Sequence, residues 1–161
     1  MSSFESDFIL RAATPDDAPL ILEMIRELAI YEKVPETGFH LTHDMVLRDM
    51  FGAVCHCELA FLGQDAAGIV TWFWTYKSFR GRRGLYVEDL YVKPQFRGRG
   101  LGRRFLADLA ARARAADGHM EWRVLDWNAP AIAFYQSLGA RLVPEWVDCR
   151  LEGEALEALA S

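Results

Sequence analysis

Little in this chain would staple it from outside or anchor it to a surface. It holds three cysteines among 161 residues, Cys55, Cys57 and Cys149. That number is odd and too small for a disulfide framework, so they read as reduced thiols, which favours the cytoplasm. No uninterrupted apolar run approaches the ~20 residues of a membrane span. Asp7 and Arg11 interrupt the first apolar residues, so the expectation is a soluble protein with no signal peptide and no membrane partner. Positive charge is also in short supply, with 18 Lys and Arg against 23 Asp and Glu for a net charge of −5. This argues against nucleic-acid binding and mildly favours cationic small molecules. Cys55-His56-Cys57 has no second cluster to complete a tetrahedral site, so no metal is expected. Repeats, low-complexity tracts and interdomain linkers are lacking too, and residues 1–161 read as a single domain.

What is present centres on Leu85-Tyr-Val-Glu-Asp-Leu-Tyr-Val-Lys-Pro-Gln-Phe-Arg-Gly-Arg-Gly-Leu-Gly-Arg-Arg104. Leu85 to Val92 is rich in β-branched and aromatic residues, and Lys93-Pro94 stops it. From Gly98 the chain enters the apolar-periodic run Leu101, Phe105, Leu106, Leu109. The order is strand, glycine loop, helix. Glycines at 98, 100 and 102 let successive backbone N–H groups face one concavity, and the new helix adds unpaired donors and its positive dipole end. Such a loop holds a phosphate or pyrophosphate. A P-loop would end in Gly-Lys-Ser/Thr, whereas Arg103-Arg104 stand here; a Rossmann loop needs G-x-G-x-x-G, and this one is G-x-G-x-G. A glycine turn that merely caps a helix remains open as the alternative.

Around this stretch the composition is that of an ordinary globular domain, 52% hydrophobic and 25% charged. Phe8 to Ala12 reads as a strand. Thr14-Pro-Asp-Asp17 then opens a helix whose apolar positions Ile21, Leu22, Ile25, Leu28 and Ala29 are to be buried, with Glu23, Arg26 and Glu27 facing water. A Thr42-capped helix ends at Gly52. Strands 57–62 and 68–76 are joined by the polar tip Gly63-Gln-Asp-Ala-Ala, and 77–84 is a loop. A helix over 101–116 precedes the strand 120–125, and a crossover of this length makes that strand parallel to 85–92. Asn128-Ala-Pro130 caps a helix that stops at Gly139. Closing strands are expected at 140–143 and 146–151, and a brief helix or frayed end after Gly153.

Gln95-Phe-Arg-Gly98-Arg-Gly100 matches the Q/R-x-x-G-x-G/A signature of the GCN5-related N-acetyltransferases. Glu27-Leu-Ala-Ile-Tyr-Glu32, Leu85 to Val92, and Trp127-Asn-Ala-Pro-Ala-Ile-Ala-Phe-Tyr-Gln-Ser-Leu-Gly-Ala140 together resemble the diamine (spermidine/spermine) acetyltransferase subgroup. The resemblance implies an α/β (α+β) fold with a mixed, mostly antiparallel sheet, a splayed parallel strand pair and helices on both faces. It also implies acetyl-CoA as donor, with its pantetheine arm along Leu90, Tyr91 and Val92. The pyrophosphate would lie on the Gly98, Arg99, Gly100, Leu101, Gly102 and Arg103 backbone, with Arg97 adding charge. Asn128, Pro130 and Ala131 would contact the coenzyme as well. Relatives of this kind commonly form homodimers, and the Trp146 to Leu151 edge is the candidate for pairing across one.

The chemistry narrows the site further. An alkyl amine acceptor, with a pKa near ~10, arrives protonated at pH 7 and cannot attack until a base removes the proton. Glu88 and Asp89 lie mid-strand among apolar neighbours, where a carboxylate is costly unless it serves a cation or accepts hydrogen bonds. Alternation puts them on opposite faces unless a bulge intervenes. By residue-to-residue match Glu88 is the base, through water, and Asp89 holds the acceptor's charge or the strand geometry; a structural carboxylate is the competing reading. Tyr135, two turns into the Asn128-capped helix, is the general acid for the departing thiolate, against plain core packing. Tyr31 and Glu32 match positions lining the acceptor pocket. Glu121-Trp122-Arg123 departs from the polyamine-type pocket, and its arginine would repel a polycation or bind an acceptor's carboxylate. Direct attack without an acyl-enzyme is the expectation, and the cysteines fit it, since none falls in a motif suited to a nucleophile. The reading is an N-acetyltransferase acting on a small primary amine, a diamine, polyamine or lysine-like compound. A protein-modifying enzyme and a non-catalytic acyl-CoA sensor are the alternatives.

Overall fold

The computed structural model describes residues 7–161, which divide into two compact units, one reaching Arg123 and the other Val124–Ser161. The first is a five-stranded sheet with helices against it. In chain order it runs β1 (Phe8–Ala12), α1 (Ala18–Tyr31), α2 (His43–Asp49), β2 (His56–Leu62), β3 (Asp65–Lys77), β4 (Arg82–Val92), α3 (Leu101–Ala115) and β5 (His119–Trp122). The spatial order of strands follows the sequence order. Each neighbouring pair is antiparallel except β4 and β5, which are parallel and joined by α3. A parallel pair needs such a crossover because a tight turn reverses the chain.

β3 is central and covered on both faces, so it reads as the nearly unbroken apolar run Gly-Ile-Val-Thr-Trp-Phe-Trp. On one face α1 and α2 bury Ile21, Met24, Leu28, Val46 and Met50 against Cys57, Leu59, Ile69 and Tyr91 of the sheet. On the other, α3 packs the stripe Leu101, Phe105, Leu106, Leu109 and Ala113. That spacing of three and four residues is the helix period, and its exposed side carries the basic last turn Arg112 and Arg114, which suits the negative end of the helix. Close approach of α3 is possible because β3 has Gly68 beneath it, where a Cβ would lie 3.2 and 3.3 Å from Phe105 and Leu101 side-chain carbons and 2.8 Å from the Tyr91 carbonyl.

Several expectations need correction. α1 buries Met24 where Leu22, Ile25 and Ala29 are half-buried, and Glu27 is half-buried because it accepts a 2.8 Å hydrogen bond from the Tyr91 hydroxyl. The β2–β3 turn is Gly63-Gln64 alone, since Leu62 already pairs with Asp65. Residues expected as a loop over 77–84 continue the β3–β4 ladder, with Lys77 opposite Arg82. β5 is Met120 to Trp122 with His119 rather than 120–125, because it has β4 to pair with only as far as Val87.

The second unit holds α4 (Ala129–Ser137) and α5 (Glu154–Leu159). The closing strands expected over 140–143 and 146–151 are absent from it; no ladder forms there, and a strand exists only through its pairing. Trp146 and Val147 are about four-fifths exposed, 79% and 83%.

Candidate active site

The site begins where the sheet parts. β5 accompanies β4 from Gly84 to Val87 and stops, while β4 continues against β3 to the Gly68–Val92 pair. From Glu88 onward the outer edge of β4 therefore has no strand beside it among the described residues. Lys93 N–H donates to Ala67 C=O at 2.9 Å, which fixes the phase of the ladder. Tyr91 exchanges its bonds with Ile69, and Leu90 and Val92 turn their N–H and C=O groups outward. Of the three residues expected along the donor, Tyr91 thus serves the sheet with its backbone and the core with its ring, being 6% exposed. Leu90 and Val92 are the ones that offer an edge.

Next comes a 3-10 turn at Pro94–Phe96 and then the glycine loop, with Gly98 and Gly100 at φ +74° and +82°. Both lie in the left-handed region that side chains disfavour. Arg104 N–H makes the first helical bond, to Gly100 C=O at 3.0 Å. None of the six N–H groups from Gly98 to Arg103 has an acceptor among the described residues. Six consecutive free donors at a helix N-terminus fit a pyrophosphate, and the outward groups of Leu90 and Val92 fit an amide chain leading from it. The Q/R-x-x-G-x-G/A pattern is met in two registers, from Gln95 and again from Arg97 through Gly100 and Gly102, and the free donors span both. Arg97 is turned back from the loop: its Nε donates to Val92 C=O at 2.8 Å, and its guanidinium lies 5.1 Å from the Tyr31 ring and 5.7 Å from the Tyr91 ring. Arg99 lies 5.9 Å over Phe96, and Arg103 is exposed on the first turn of α3.

At the parting point lies a bulge. Thr71 pairs with Asp89 and Trp72 with Val87, leaving Glu88 as the extra residue of β4. The inserted residue breaks the alternation that would send adjacent carboxylates to opposite faces. Asp89 is desolvated, which pushes its carboxyl up to about 6; a hydrogen bond from Thr71 opposes the rise, and the charges of Glu88 and Glu32 add to it. Glu32, which ends α1, is raised by burial and then by Glu88. Asp89 thus feels Glu88 and Glu32, and Glu32 feels Glu88, so the three form one acidic cluster. Lys33, in a left-handed conformation at φ +61°, closes the end of α1 beside it, with Val34 N–H donating to Ala29 C=O at 2.9 Å. Burial and then the charge of Asp89 also push the Cys55 thiol up to about 11, so it is protonated at neutral pH and unsuited to act as a nucleophile.

Glu121 is drawn into an ion pair with Lys77 at 3.0 Å, lies 3.4 Å from His119 Nε2, and stands opposite Tyr86 in the ladder. Trp122 ends β5 and Arg123 follows it. In the second unit Asn128 is 7% exposed and caps α4 through its side chain, which accepts from Ala131 N–H at 3.4 Å. Pro130 occupies the first turn, where a missing N–H costs nothing. Tyr135 is half-buried with its ring 5.4 Å from Phe134.

Residues 22–140 match the family model described as the acetyltransferase (GNAT) family. The chain belongs to that family. Its relatives include a thialysine N-epsilon-acetyltransferase of Sus scrofa, 36% identical and covering 94% of this chain and 96% of its own length. One of Caenorhabditis elegans is 34% identical with 96% and 98% covered. An L-ornithine N5-acetyltransferase of Arabidopsis thaliana is 30% identical with 93% and 86% covered. Among solved structures, an integron cassette protein of V. cholerae superposes with TM-score 0.77 at 20% identity, over 96% of this chain and 98% of that one. An aminoglycoside acetyltransferase from an uncultured soil metagenomic sample gives 0.76 at 14%, over 94% and 100%. These two speak for the fold, a GNAT sheet with its antiparallel strands and one parallel pair.

For this GNAT acetyltransferase, sequence reasoning located the glycine loop and the carboxyl pair but not Thr71. A β-branched residue inside an apolar strand looks like sheet filler. Its one signal is register: a hydroxyl across from an acid in mid-sheet.

Proposed function

We propose that the protein transfers an acetyl group from acetyl-CoA to a primary amine of a small cationic acceptor, a diamine, polyamine or lysine-like amino acid, by direct attack. The observation that carries this reading is the acidic cluster Glu32, Glu88 and Asp89 at the end of the unpaired β4 edge. Three carboxyls sharing one neighbourhood repel one another, and an alkylammonium relieves that repulsion. The acceptors named for the thialysine and ornithine acetyltransferases are amines of this class.

In this reading the free N–H groups of Gly98 to Arg103 hold the pyrophosphate. Leu90 and Val92 align the pantetheine arm; Val92 C=O is released for it when Arg97 moves to the phosphates. Asn128, Pro130 and Ala131 contact the coenzyme. Tyr31 and Glu32 receive the acceptor, Asp89 balances its charge, and Glu88 takes the ammonium proton through water. The neutral amine attacks the thioester carbonyl, the carbon–sulfur bond breaks, and Tyr135 protonates the departing thiolate. Arg123, beside Glu121 and Trp122, is suited to an acceptor's carboxylate and favours lysine-like compounds over polyamines. The exposed Trp146 and Val147 support a homodimer, testable by sedimentation, and the free thiols of Cys55, Cys57 and Cys149 support a cytoplasmic setting.

Thiol release from acetyl-CoA over a panel of diamines, polyamines, thialysine, lysine and a histone-like peptide tests the proposal. Turnover with the small amines is expected. Turnover confined to the peptide would move the assignment to a protein-modifying enzyme, and tight coenzyme binding without any turnover would leave a sensor.

A further inference from the structure

Thr71 is the polar residue of the β3 core run that is almost wholly enclosed, 1% exposed between Val70 and Trp72. For packing alone a valine would serve that position better, since it has the same branched shape and no hydroxyl to satisfy. The hydroxyl has two uses, and both are Asp89. It accepts from Asp89 N–H at 3.1 Å, and it donates its own proton to Asp89 Oδ2 at 2.5 Å. This happens at the one place in the β3–β4 ladder where the register shifts.

An extra residue leaves the backbone beside it short of ladder partners. A side chain that takes up the displaced N–H and at the same time grips the neighbouring carboxylate can hold the bulge in one form. We infer that Thr71 is a positioning residue for acyl transfer: its hydroxyl pins the β4 bulge through Asp89 and thereby sets where the adjacent Glu88 and Asp89 carboxyls stand. It does not touch the reacting atoms. The kinetic side of this inference rests on the proposed function; the link between Thr71 and Asp89 does not.

The groups that act on Asp89 are Glu88 on its own strand and Glu32 from the end of α1. Cys55, after α2, is close enough for Asp89 to act on it in turn and stays neutral. Removing the Thr71 hydroxyl leaves the two acids and takes away the one bond that favours the charged form. Asp89 then titrates higher, by about one to two pH units for a lost hydrogen bond to a charged group.

The test follows the Asp89 carboxyl carbon by NMR across pH in the wild type, Thr71→Val and Thr71→Ser, alongside kcat/KM against pH. In Thr71→Val the Asp89 midpoint and the acidic limb of the rate profile are expected to rise together. kcat/KM at pH 7 is expected to fall about tenfold or more while the dissociation constant of coenzyme A stays put, and Thr71→Ser should restore both curves. If Thr71→Val does not fold, Thr71→Cys, which drops the γ-methyl and leaves only a weak S–H donor, should move the midpoint the same way. An Asp89 midpoint unchanged in Thr71→Val, or lowered stability with an unmoved rate profile, overturns the inference. If no amine is acetylated by the wild type, the proposed function fails, and the carboxyl titration alone then decides whether Thr71 governs Asp89.

Discussion

Gly98 and Gly81 make a matched pair for testing whether the glycine loop is a ligand cradle or only a turn. Both sit at positive φ, +74° and +59°, and at both a Cβ would meet nothing within 4 Å. A methyl group at either therefore adds no clash, and its cost is the left-handed backbone alone, about 1–2 kcal/mol. They differ in place, since Gly98 begins the run of six free N–H groups and Gly81 lies in the β3–β4 turn. In Gly98→Ala the unliganded loop can relieve the strain by leaving the left-handed region, which turns the donors apart. Ligand must then restore it, and the same 1–2 kcal/mol becomes a roughly 5- to 30-fold rise in Kd. In Gly81→Ala the strain appears only in stability, as a fall in Tm of about 2–8 °C. Calorimetric titration of both variants with coenzyme A, beside thermal melts, separates the two. Equal affinities in the two variants would refute the cradle.

Gly68→Ala should lower the unfolding free energy by about 1–3 kcal/mol, read from the urea midpoint, because its Cβ would stand 2.8 Å from the Tyr91 carbonyl and press on Leu101 and Phe105. Asp17, gripped by Arg11 at 2.7 and 2.8 Å and by Thr14 N–H, is held down at about 2. Its contribution is complete above the ordinary carboxylate range and lost as pH falls from there through about 2. Since Arg11 is 42% exposed, screening reduces it to ~1 kcal/mol, so Asp17→Asn should differ from the wild type at pH 7 and match it near pH 2. Asp89 has the opposite sign. Raised to about 6, it binds a proton in the native state that the unfolded chain has already released, so stability falls as pH climbs from about 4 to about 6. Asp89→Asn should remove that slope and leave the protein ~2 kcal/mol more stable than the wild type at pH 7; a wild-type stability that stays flat over this interval would contradict the burial of the carboxyl.

How much of this was legible in the sequence varies from place to place for physical reasons. The start of α3 was legible because glycine and helix periodicity are local signals; Leu101, Phe105 and Leu109 line up whatever the rest of the chain does. The parallel pairing of β4 and β5 followed from the length of the crossover. The end of β5 was not legible, since Val124 and Leu125 are as strand-prone as Trp122, and what stops the strand is the partner's turning away at Glu88. The β3–β4 turn was misread because Arg80, Arg82, Arg83 and two glycines look like a loop, although Lys77 and Arg82 pair in it. In the second unit, alternating residues after Gly139 carried a strand pattern without a ladder to join. The three acids were each legible, Glu88 and Asp89 from their place mid-strand and Glu32 from the resemblance, but the single inserted residue that sets Glu88 beside Asp89 leaves no mark in composition.

That inserted residue ties fold to chemistry. A regular β4 would keep Asp89 on the α1 side and send Glu88 to the apolar α3 side, where an unpaired carboxylate is costly. The bulge keeps Glu88 exposed and beside Asp89 and Glu32, and the same local twist ends the match with β5 and opens the outer edge of the strand. One irregularity thus goes with both the acidic cluster and the unpaired strand edge, which is why the two lie next to each other. The arrangement is not the most stable one available to the sheet: Asp89 is raised, Lys33 sits in a strained conformation, and Glu32 is raised by burial and by Glu88. Asp117 at φ +51° and the β2–β3 ladder at Ala60–Phe61 depart from regularity elsewhere, but three such departures gather at this one strand edge, where strain is expected to serve a function. A cationic acceptor that offsets the three carboxyls should therefore raise the melting temperature of the protein more than an uncharged isostere of the same size.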